Sequence, residues 1–372
     1  MDDQARVTPS IRNTPIDFPF IKGLRDGDPE DRHMTQVTII GLGLIGSSMG
    51  MAIRSARKNV KVVGFDHNSN VQNRAKKTGA VDEAEWRLDK AVQDADLVVL
   101  AVPVLEIPTL LDNMVQWLKP GTAVTDTATT KSRVMEWAAE KIPAEIGFVG
   151  GHPLAGGGMA GQDSAHPDMF AGVSYPLMPA SRAPEQCVKT VVEFVELLGA
   201  TPRFVDVSEH DSYIAAVSNG PVLMSSALVL TAAKSPAWGE ISKFASAEFG
   251  DLSRLAGMDP ETTHGICKTN PDMMLHWLDA YMAELADLRE ALASVNGSDD
   301  EEGPLKPLLT RAYEQRLRWT AGVSPETEMP GEETGTMTES LGQMFLGGGV
   351  MGRIRGRRGH KEDDKNGQNF QK

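Results

Sequence analysis

Cysteine is scarce in this sequence. Only Cys187 and Cys267 occur among 372 residues, and they lie far apart without a C-x-x-C spacing. A disulfide framework or a zinc site requires more cysteines or a closer spacing. Neither is indicated, so we expect two buried thiols and no metal.

Long apolar segments are also missing from the sequence. Residues 1–34 are polar and interrupted by prolines, without the apolar core of a signal peptide. We find no run of about 18 apolar residues that would span a membrane. The segment 1–34 is therefore interpreted as a flexible leader, and the cytoplasm is the expected location.

Basic residues are fewer than acidic residues in this sequence. The chain has 37 Lys and Arg against 51 Asp and Glu, a formal net charge of -14. This charge disfavours nucleic acid and anionic membranes as partners. A hydrophobic share of 41% is typical of a globular protein, and the length suits two domains. A small-molecule substrate fits these properties best.

The first half alternates between short β-branched runs and amphipathic, helix-length runs. This alternation predicts an α/β fold, a doubly wound parallel sheet of the Rossmann type over residues 35–207. The predicted strands are Val37–Ile40, Lys61–Phe65, Leu97–Val102, Ala123–Asp126, Phe148–Gly150, Val173–Met178 and Arg203–Val207. The predicted helices between them include Ile45–Arg57, Ile107–Trp117, Arg133–Lys141 and Glu185–Leu198.

The second half lacks strand signals. Helical periodicity predicts an all-helical domain over 208–322, with helices at His210–Ala233, Gly239–Leu255, Pro271–Ser294 and Leu305–Trp319. By analogy of fold, this domain would supply the substrate pocket and the interface of a homodimer. Residues 323–372 are rich in glycine and charge without apolar periodicity, and are interpreted as a disordered tail.

A glycine motif follows the first predicted strand. Gly41, Gly43 and Gly46, with Leu44 and Ile45 between them, lie where a strand passes into a helix, as a dinucleotide-binding fingerprint requires. The helix N-terminus would bind the pyrophosphate. Asp66 ends the next strand, where a carboxylate binds the ribose 2′-hydroxyl of NAD and repels the phosphate of NADP. NAD is the predicted cofactor, with FAD a minor alternative.

Other residues follow strands that end at the same edge. Val102 and Pro103 are expected beside the nicotinamide, although they would equally serve to end a strand. His152 lies between a glycine and a proline after the strand 148–150 and would face the cofactor. Because histidine exchanges protons near neutral pH, we expect a catalytic role for it.

The segment around His152 is familiar. His152-Pro153-Leu154-Ala155-Gly156, followed by Gly161, Asp168, Phe170, Gly172, Tyr175 and Pro179, resembles the prephenate and arogenate dehydrogenase family in order and spacing. Together with the glycine motif, Asp126 to Lys131 and Asp251 to Arg254, the resemblance covers roughly residues 36–320. The His-Pro block within this context is the specific element, since a glycine motif alone is common.

This resemblance implies an NAD-dependent oxidative decarboxylation in tyrosine biosynthesis. His152 would accept the proton of the substrate's ring C4 hydroxyl while hydride passes from C4 to NAD. Thr129 stands where the family usually has a serine, and would orient His152 or that hydroxyl. Arg254 matches an arginine that binds a substrate carboxylate. Lys131 would add positive charge, unless it serves as a cap or surface residue.

Some positions depart from the family's pattern. Asn219 and Val222 replace two histidines that the family commonly has, Gly158 replaces a polar residue, and Thr263 replaces a tryptophan. Asn219 would still bind a carboxylate or keto group, but without charge. His210 and His264 are interpreted as helix-surface residues, although either would be available to compensate.

These departures leave the substrate open. Prephenate is the first choice, and arogenate or a modified cyclohexadienol is the alternative. A β-hydroxyacid dehydrogenase shares the domain plan but relies on a lysine in its helical domain, whereas His152 lies on the Rossmann side. A non-catalytic NAD-binding sensor ranks lower, because it gives His152, Thr129 and Arg254 no purpose.

Overall fold

The computed structural model describes residues 34–56, 59–155, 162–295 and 303–323. The predicted leader (except Met34), the tail from 324 onward, and Gly156, Gly158 and Gly161 lie outside the described residues. The chain forms two compact units, which divide between Tyr281 and Met282. The smaller unit contains the end of the helix Pro271–Ser294 and the whole helix Leu305–Thr320. Arg311 of the second helix pairs with Glu284 of the first at 3.5 Å.

An eight-stranded sheet forms the framework of the larger unit. Its order is β3-β2-β1-β4-β5-β6-β7-β8, parallel from β3 to β6, with β7 antiparallel to β6 and β8 parallel to β7. The strands are β1 Gln36–Ile40, β2 Lys61–Phe65, β3 Glu83–Ala84, β4 Leu97–Leu100, β5 Ala123–Asp126, β6 Gly147–Gly151, β7 Ser174–Pro179 and β8 Thr201–Phe204. The predicted doubly wound parallel sheet is confirmed, except that β7 pairs with β6 in the antiparallel direction.

Thirteen α-helices are present in the described residues. They are α1 Leu44–Ala56, α2 Ser69–Lys77, α3 Leu88–Val92, α4 Ile107–Met114, α5 Ser132–Lys141, α6 Glu185–Leu197, α7 Val207–Ile214, α8 Gly220–Ala233, α9 Trp238–Ile241, α10 Ala247–Ser253, α11 Pro260–Thr269, α12 Pro271–Ser294 and α13 Leu305–Thr320. Apolar side chains of α1 and α6 bury one face of the sheet, while those of α3, α4 and α5 bury the other. The central strands β4 and β5 are therefore buried throughout.

Several helices differ from the periodicity prediction. The expected helix 239–255 is broken into α9 and α10, because 3-10 turns and extended residues intervene. Between α7 and α8 the chain forms a π-helical turn, Ala215–Asn219. Helices α2, α3 and α11 and the two-residue strand β3 were not predicted. These elements are short or strongly polar, so they carry little apolar periodicity.

The expectation that no segment is apolar enough to span a membrane needs correction. Within the described residues, the helical run Val207–Ala233 contains an 18-residue window with a mean hydropathy of 1.5, which by length and composition alone is sufficient to cross a membrane. Only 28% of that window is buried. The core helix of a soluble protein passes the same test, so this property is weak evidence for a membrane.

The predicted domain boundary at 207–208 lies just after the last strand of the sheet. The sheet does end at Phe204, but the helices that follow are bonded to its loops. Thr130 and Thr269 share a hydroxyl hydrogen bond of 2.7 Å, and Asn270 donates to the backbone oxygen of Asp211 at 2.9 Å. These buried bonds join α7 and α11 to the sheet in one unit.

Candidate active site

The glycine loop lies between β1 and α1. Gly41 has a φ of +91°, and a Cβ there would collide with the backbone oxygen of Ala101. A Cβ on Gly46 would collide with the oxygen of Gly41. A Cβ on Gly43, in contrast, would meet no atom within 4 Å. The loop therefore packs tightly at both ends and leaves open space at its centre, as a bound pyrophosphate requires.

Asp66 follows β2 and holds this loop in place. Its carboxylate accepts hydrogen bonds from the backbone nitrogens of Leu42 at 2.9 Å and Asn68 at 2.8 Å. A carboxylate has about four acceptor positions, so Asp66 retains capacity for a ribose hydroxyl. Its negative charge would disfavour a 2′-phosphate at the same place.

Two cavities adjoin the loop. One of about 370 Å³ is lined by Gly41, Gly43, Asp66, His67, Val102 and Pro103, among others. The second, of about 260 Å³, includes Gly43, Leu44, Ile45, Val102, Pro103 and Thr129, together with Thr262 and Ile266 of α11. All the predicted cofactor residues except Gly46 thus line these adjoining spaces, and the second space extends to Thr129, the predicted catalytic threonine.

His152 lies just after β6 and is only 7% exposed. Its Nδ1 lies 3.0 Å from Nε2 of His210, and this is the one hydrogen bond of the His152 side chain among the described residues. Burial, followed by the proximity of His210 and Lys131, holds the pKa of His152 well below its usual value. The imidazole is therefore neutral near pH 7, the form that accepts a proton.

Asp211 lies behind His210 and connects α7 to the loops of the sheet. It accepts hydrogen bonds from Nδ1 of His210 at 3.0 Å, the backbone nitrogens of Lys131 and Ser132 at 2.8 Å each, and the hydroxyl of Ser132 at 2.6 Å. Burial alone would raise the pKa of Asp211, but these bonds outweigh it and lower the pKa. Asp211 is therefore a charged, fully bonded side chain.

Lys131 occupies the N-cap position of α5, but its side chain makes no capping hydrogen bond and does not lie at the surface. Its side chain is completely buried and pairs with Asp126. Asp126 also accepts from the nitrogens of Ala128 at 2.9 Å and Gly151 at 3.2 Å. Burial lowers the pKa of Lys131, against the opposing effect of Asp126. Lys131 therefore supports the loops after β5 and β6 through Asp126.

The remaining predicted residues lie farther along the helical segment. Asn219 ends the π-helical turn and is buried, and its amide nitrogen has no hydrogen-bond partner among the residues that the structure describes. Arg254 is exposed on a 3-10 turn. This turn packs against α8, where Ala256 donates to the hydroxyl of Ser225 at 2.9 Å. Asn219 precedes α8 directly, so both residues border the same helix.

The interpretation of His210 as a surface residue is wrong. It is only 2% exposed and touches His152 directly, whereas His264 is exposed as expected. His210 was missed because the polar run Ser208 to Ser212 resembles the solvated first turns of a helix. A histidine and an aspartate side by side before a long apolar run were the available signal.

Both cysteines were expected to be buried thiols. Cys187 is a buried free thiol, whereas Cys267 is a free thiol that is only partly buried.

The chain matches two family models in succession. Residues 49–203 match the nucleotide-binding domain of prephenate dehydrogenase, and residues 206–306 match the dimerization domain of the same family. The chain belongs to the prephenate dehydrogenase family. It is accordingly an NAD-dependent oxidoreductase of the prephenate dehydrogenase type, and it carries that family's dimerization domain.

Named relatives agree with this assignment. The prephenate dehydrogenase of Lactococcus lactis subsp. cremoris is 31% identical over 263 residues, 68% of this chain and 70% of that protein. The crystal structure of Synechocystis arogenate dehydrogenase shares 27% identity with a TM-score of 0.63, covering 76% of this chain and 99% of that one.

A third relative establishes the same fold at lower identity. Prephenate dehydrogenase from A. aeolicus, solved with hydroxyphenyl propionate and NAD+, has a TM-score of 0.71 at 24% identity. The match covers 78% of this chain and 100% of that chain. Within the described residues of our protein, no group of three or more histidine, cysteine or acidic side chains is arranged to hold a metal.

Proposed function

We propose that the chain oxidises and decarboxylates prephenate and that His152 is the base for the substrate's C4 hydroxyl. The observation that carries this proposal is the state of His152: buried, neutral, bonded through Nδ1, and with Nε2 left for a ligand. Its pKa lies below neutrality, so the imidazole is ready to accept a proton at pH 7.

The chemistry balances with NAD, the two-electron oxidant, as the only other reactant. Nε2 of His152 takes the C4 hydroxyl proton, the bond from C1 to its carboxylate breaks, and the bonding pair enters the ring as carbon dioxide leaves. The new phenolate oxygen then recovers a proton from His152. Bound NAD would supply the acceptor for the hydride that leaves C4, held by the glycine loop and Asp66. The product is 4-hydroxyphenylpyruvate.

Three further residues would orient the substrate. Thr129 lines the cavity that also contains Gly43, so we assign its hydroxyl to the reacting oxygen or to His152. Arg254, exposed beside α8, would bind a carboxylate through its two-pronged guanidinium. Asn219 would contribute its unpartnered amide nitrogen.

The unpartnered group of Asn219 favours prephenate over arogenate. An amide nitrogen donates hydrogen bonds, which suits the keto and carboxylate oxygens of a pyruvyl side chain. The ammonium of arogenate is itself a donor and would gain nothing from it. Arogenate remains the second candidate, since a Synechocystis arogenate dehydrogenase is among the relatives.

The assembly that we propose is a homodimer in the cytoplasm. The segment 206–306 matches a dimerization domain, and α8 is apolar over much of its surface, with Leu228 and Leu230 exposed. Burial of such a helix against a second copy removes apolar surface from water. Light scattering during size exclusion should give twice the 40.2 kDa chain mass.

The test is NADH formation with prephenate and arogenate offered separately. His152→Asn should lower kcat by a factor of roughly 10² or more with either accepted substrate, because it removes the base. His276→Asn changes an exposed histidine on α12 and is the matched control. Equal activity of wild type and His152→Asn would refute the base assignment, and turnover of arogenate alone would refute the substrate choice.

A further inference from the structure

Two buried residues of α7 line up behind His152. Asp211 lies 3.0 Å from Nδ1 of His210, and Nε2 of His210 lies 3.0 Å from Nδ1 of His152. The two rings meet edge to face, with centroids 5.2 Å apart and planes at 83°. This series of contacts runs from a charged carboxylate to the ring of the proposed base.

The direction of each hydrogen bond follows from Asp211. An ionised carboxylate only accepts hydrogen bonds, and the bonds to Asp211 keep it ionised. Nδ1 of His210 therefore carries the proton of a neutral imidazole, which leaves Nε2 of His210 as an acceptor. Nδ1 of His152 must then be the donor of the next bond, so Nε2 of His152 carries no proton.

The opposite arrangement would disable His152 as a base. It requires a doubly protonated His210, whose Nε2–H would donate to Nδ1 of His152 and leave the proton of His152 on its Nε2. That second cation would lie in a buried cluster that already holds Lys131, where each further charge is costly to desolvate. Asp126 is already paired with Lys131. The charge of Asp211 is already stabilised by the backbone nitrogens of Lys131 and Ser132 and by the hydroxyl of Ser132, so it does not require a cation at His210.

We propose that His210 is a positioning residue that, oriented by Asp211, holds His152 as its Nδ1–H tautomer with Nε2 free to accept a proton. In water the neutral imidazole prefers the other tautomer, with its proton on Nε2, and a hydrogen bond to the second nitrogen decides which form a protein holds. The inference rests on the proposed role of His152 for its effect on catalysis, but the tautomer itself is independent of that role.

His210 is the residue to change, since Asp211 also caps the start of α5 through Lys131 and Ser132. In His210→Leu the acceptor is lost, so His152 should revert to the Nε2–H form and kcat should fall on the order of 10²-fold. In His210→Gln the side-chain oxygen can still accept from Nδ1, so both the tautomer and most of the activity should be retained.

The experiment is nitrogen NMR of full-length protein with labelled histidines. His152→Asn identifies the His152 signals among the eight histidines. Wild type should show a protonated Nδ1 and an unprotonated Nε2. A protonated Nε2 in folded wild type would overturn the inference, even if the leucine variant does not fold, and so would an unchanged tautomer in folded His210→Leu. A tautomer switch with unchanged kcat would support the role of His210 and overturn the base role of His152.

Discussion

The glycine loop and the histidine cluster adjoin the same sheet, but they are built in different ways. The loop is made of backbone, and its essential residues fall within six consecutive positions from Gly41 to Gly46. The histidine cluster consists of the buried side chains of Asp126 on β5, Lys131 just before α5, His152 just after β6, and His210 and Asp211 on α7. Its members therefore lie up to 85 positions apart in the sequence. An added Cβ at either end of the loop would collide with backbone, whereas the charged groups of the cluster depend on buried ion pairs and hydrogen bonds.

Loss of a charge from the cluster should have the largest effect. Lys131→Met leaves the buried carboxylate of Asp126 without its ion pair, which typically costs roughly 3–5 kcal/mol of unfolding free energy. Chemical denaturation of the two proteins measures this difference. Lys141→Met, which breaks a more exposed pair with Asp112, is the control and should change stability far less. A similar loss in both variants would mean that burial of the pair is unimportant.

Changes in the loop should separate packing from ligand binding. In Gly46→Ala the new methyl group meets the oxygen of Gly41, and such overpacking costs roughly 1–3 kcal/mol. In Gly43→Ala the methyl group enters open space, so stability should stay near that of wild type. Both variants should bind NAD more weakly, as calorimetric titration would show. Unchanged NAD affinity in Gly43→Ala would place the cofactor elsewhere.

The same contrast explains what could be predicted from the sequence. The sequence signal for the loop is local. The three glycines Gly41, Gly43 and Gly46 follow β1 directly, and Asp66 follows β2 directly. The strands Lys61–Phe65 and Ala123–Asp126 were predicted to the residue for a related reason: each is a short β-branched run between polar residues.

The histidine cluster could be predicted only in part. His152 was recognisable from its glycine and proline neighbours, but nothing local indicates that α7 returns to bury His210 against it. The buried pair of Lys131 and Asp126 could not be predicted for the same reason, because a charged side chain is expected to be exposed unless its partner is known. The broken helix 239–255 and the π turn at 215–219 likewise depend on tertiary packing, which overrides local periodicity.

The smallest predicted effect is a pH dependence that belongs to the cluster alone. Because the folded pKa of His152 lies below the ordinary 6.5, the unfolded chain binds the extra proton first as pH falls. The unfolding free energy should therefore decrease below about pH 6.5, by at most about 1.4 kcal/mol per pH unit. His152→Asn should remove this slope, and His276→Asn should keep it.

The carboxylate of Asp96 does not contribute to the slope in this pH range. Burial would raise its pKa, but hydrogen bonds from Lys119 and Thr35 outweigh that effect and lower the pKa to about 2. The stability that Asp96 contributes is therefore lost only in stronger acid. Urea unfolding from pH 7 to pH 5 measures the slope, and parallel curves for wild type and His152→Asn would show that the buried histidine is not held neutral.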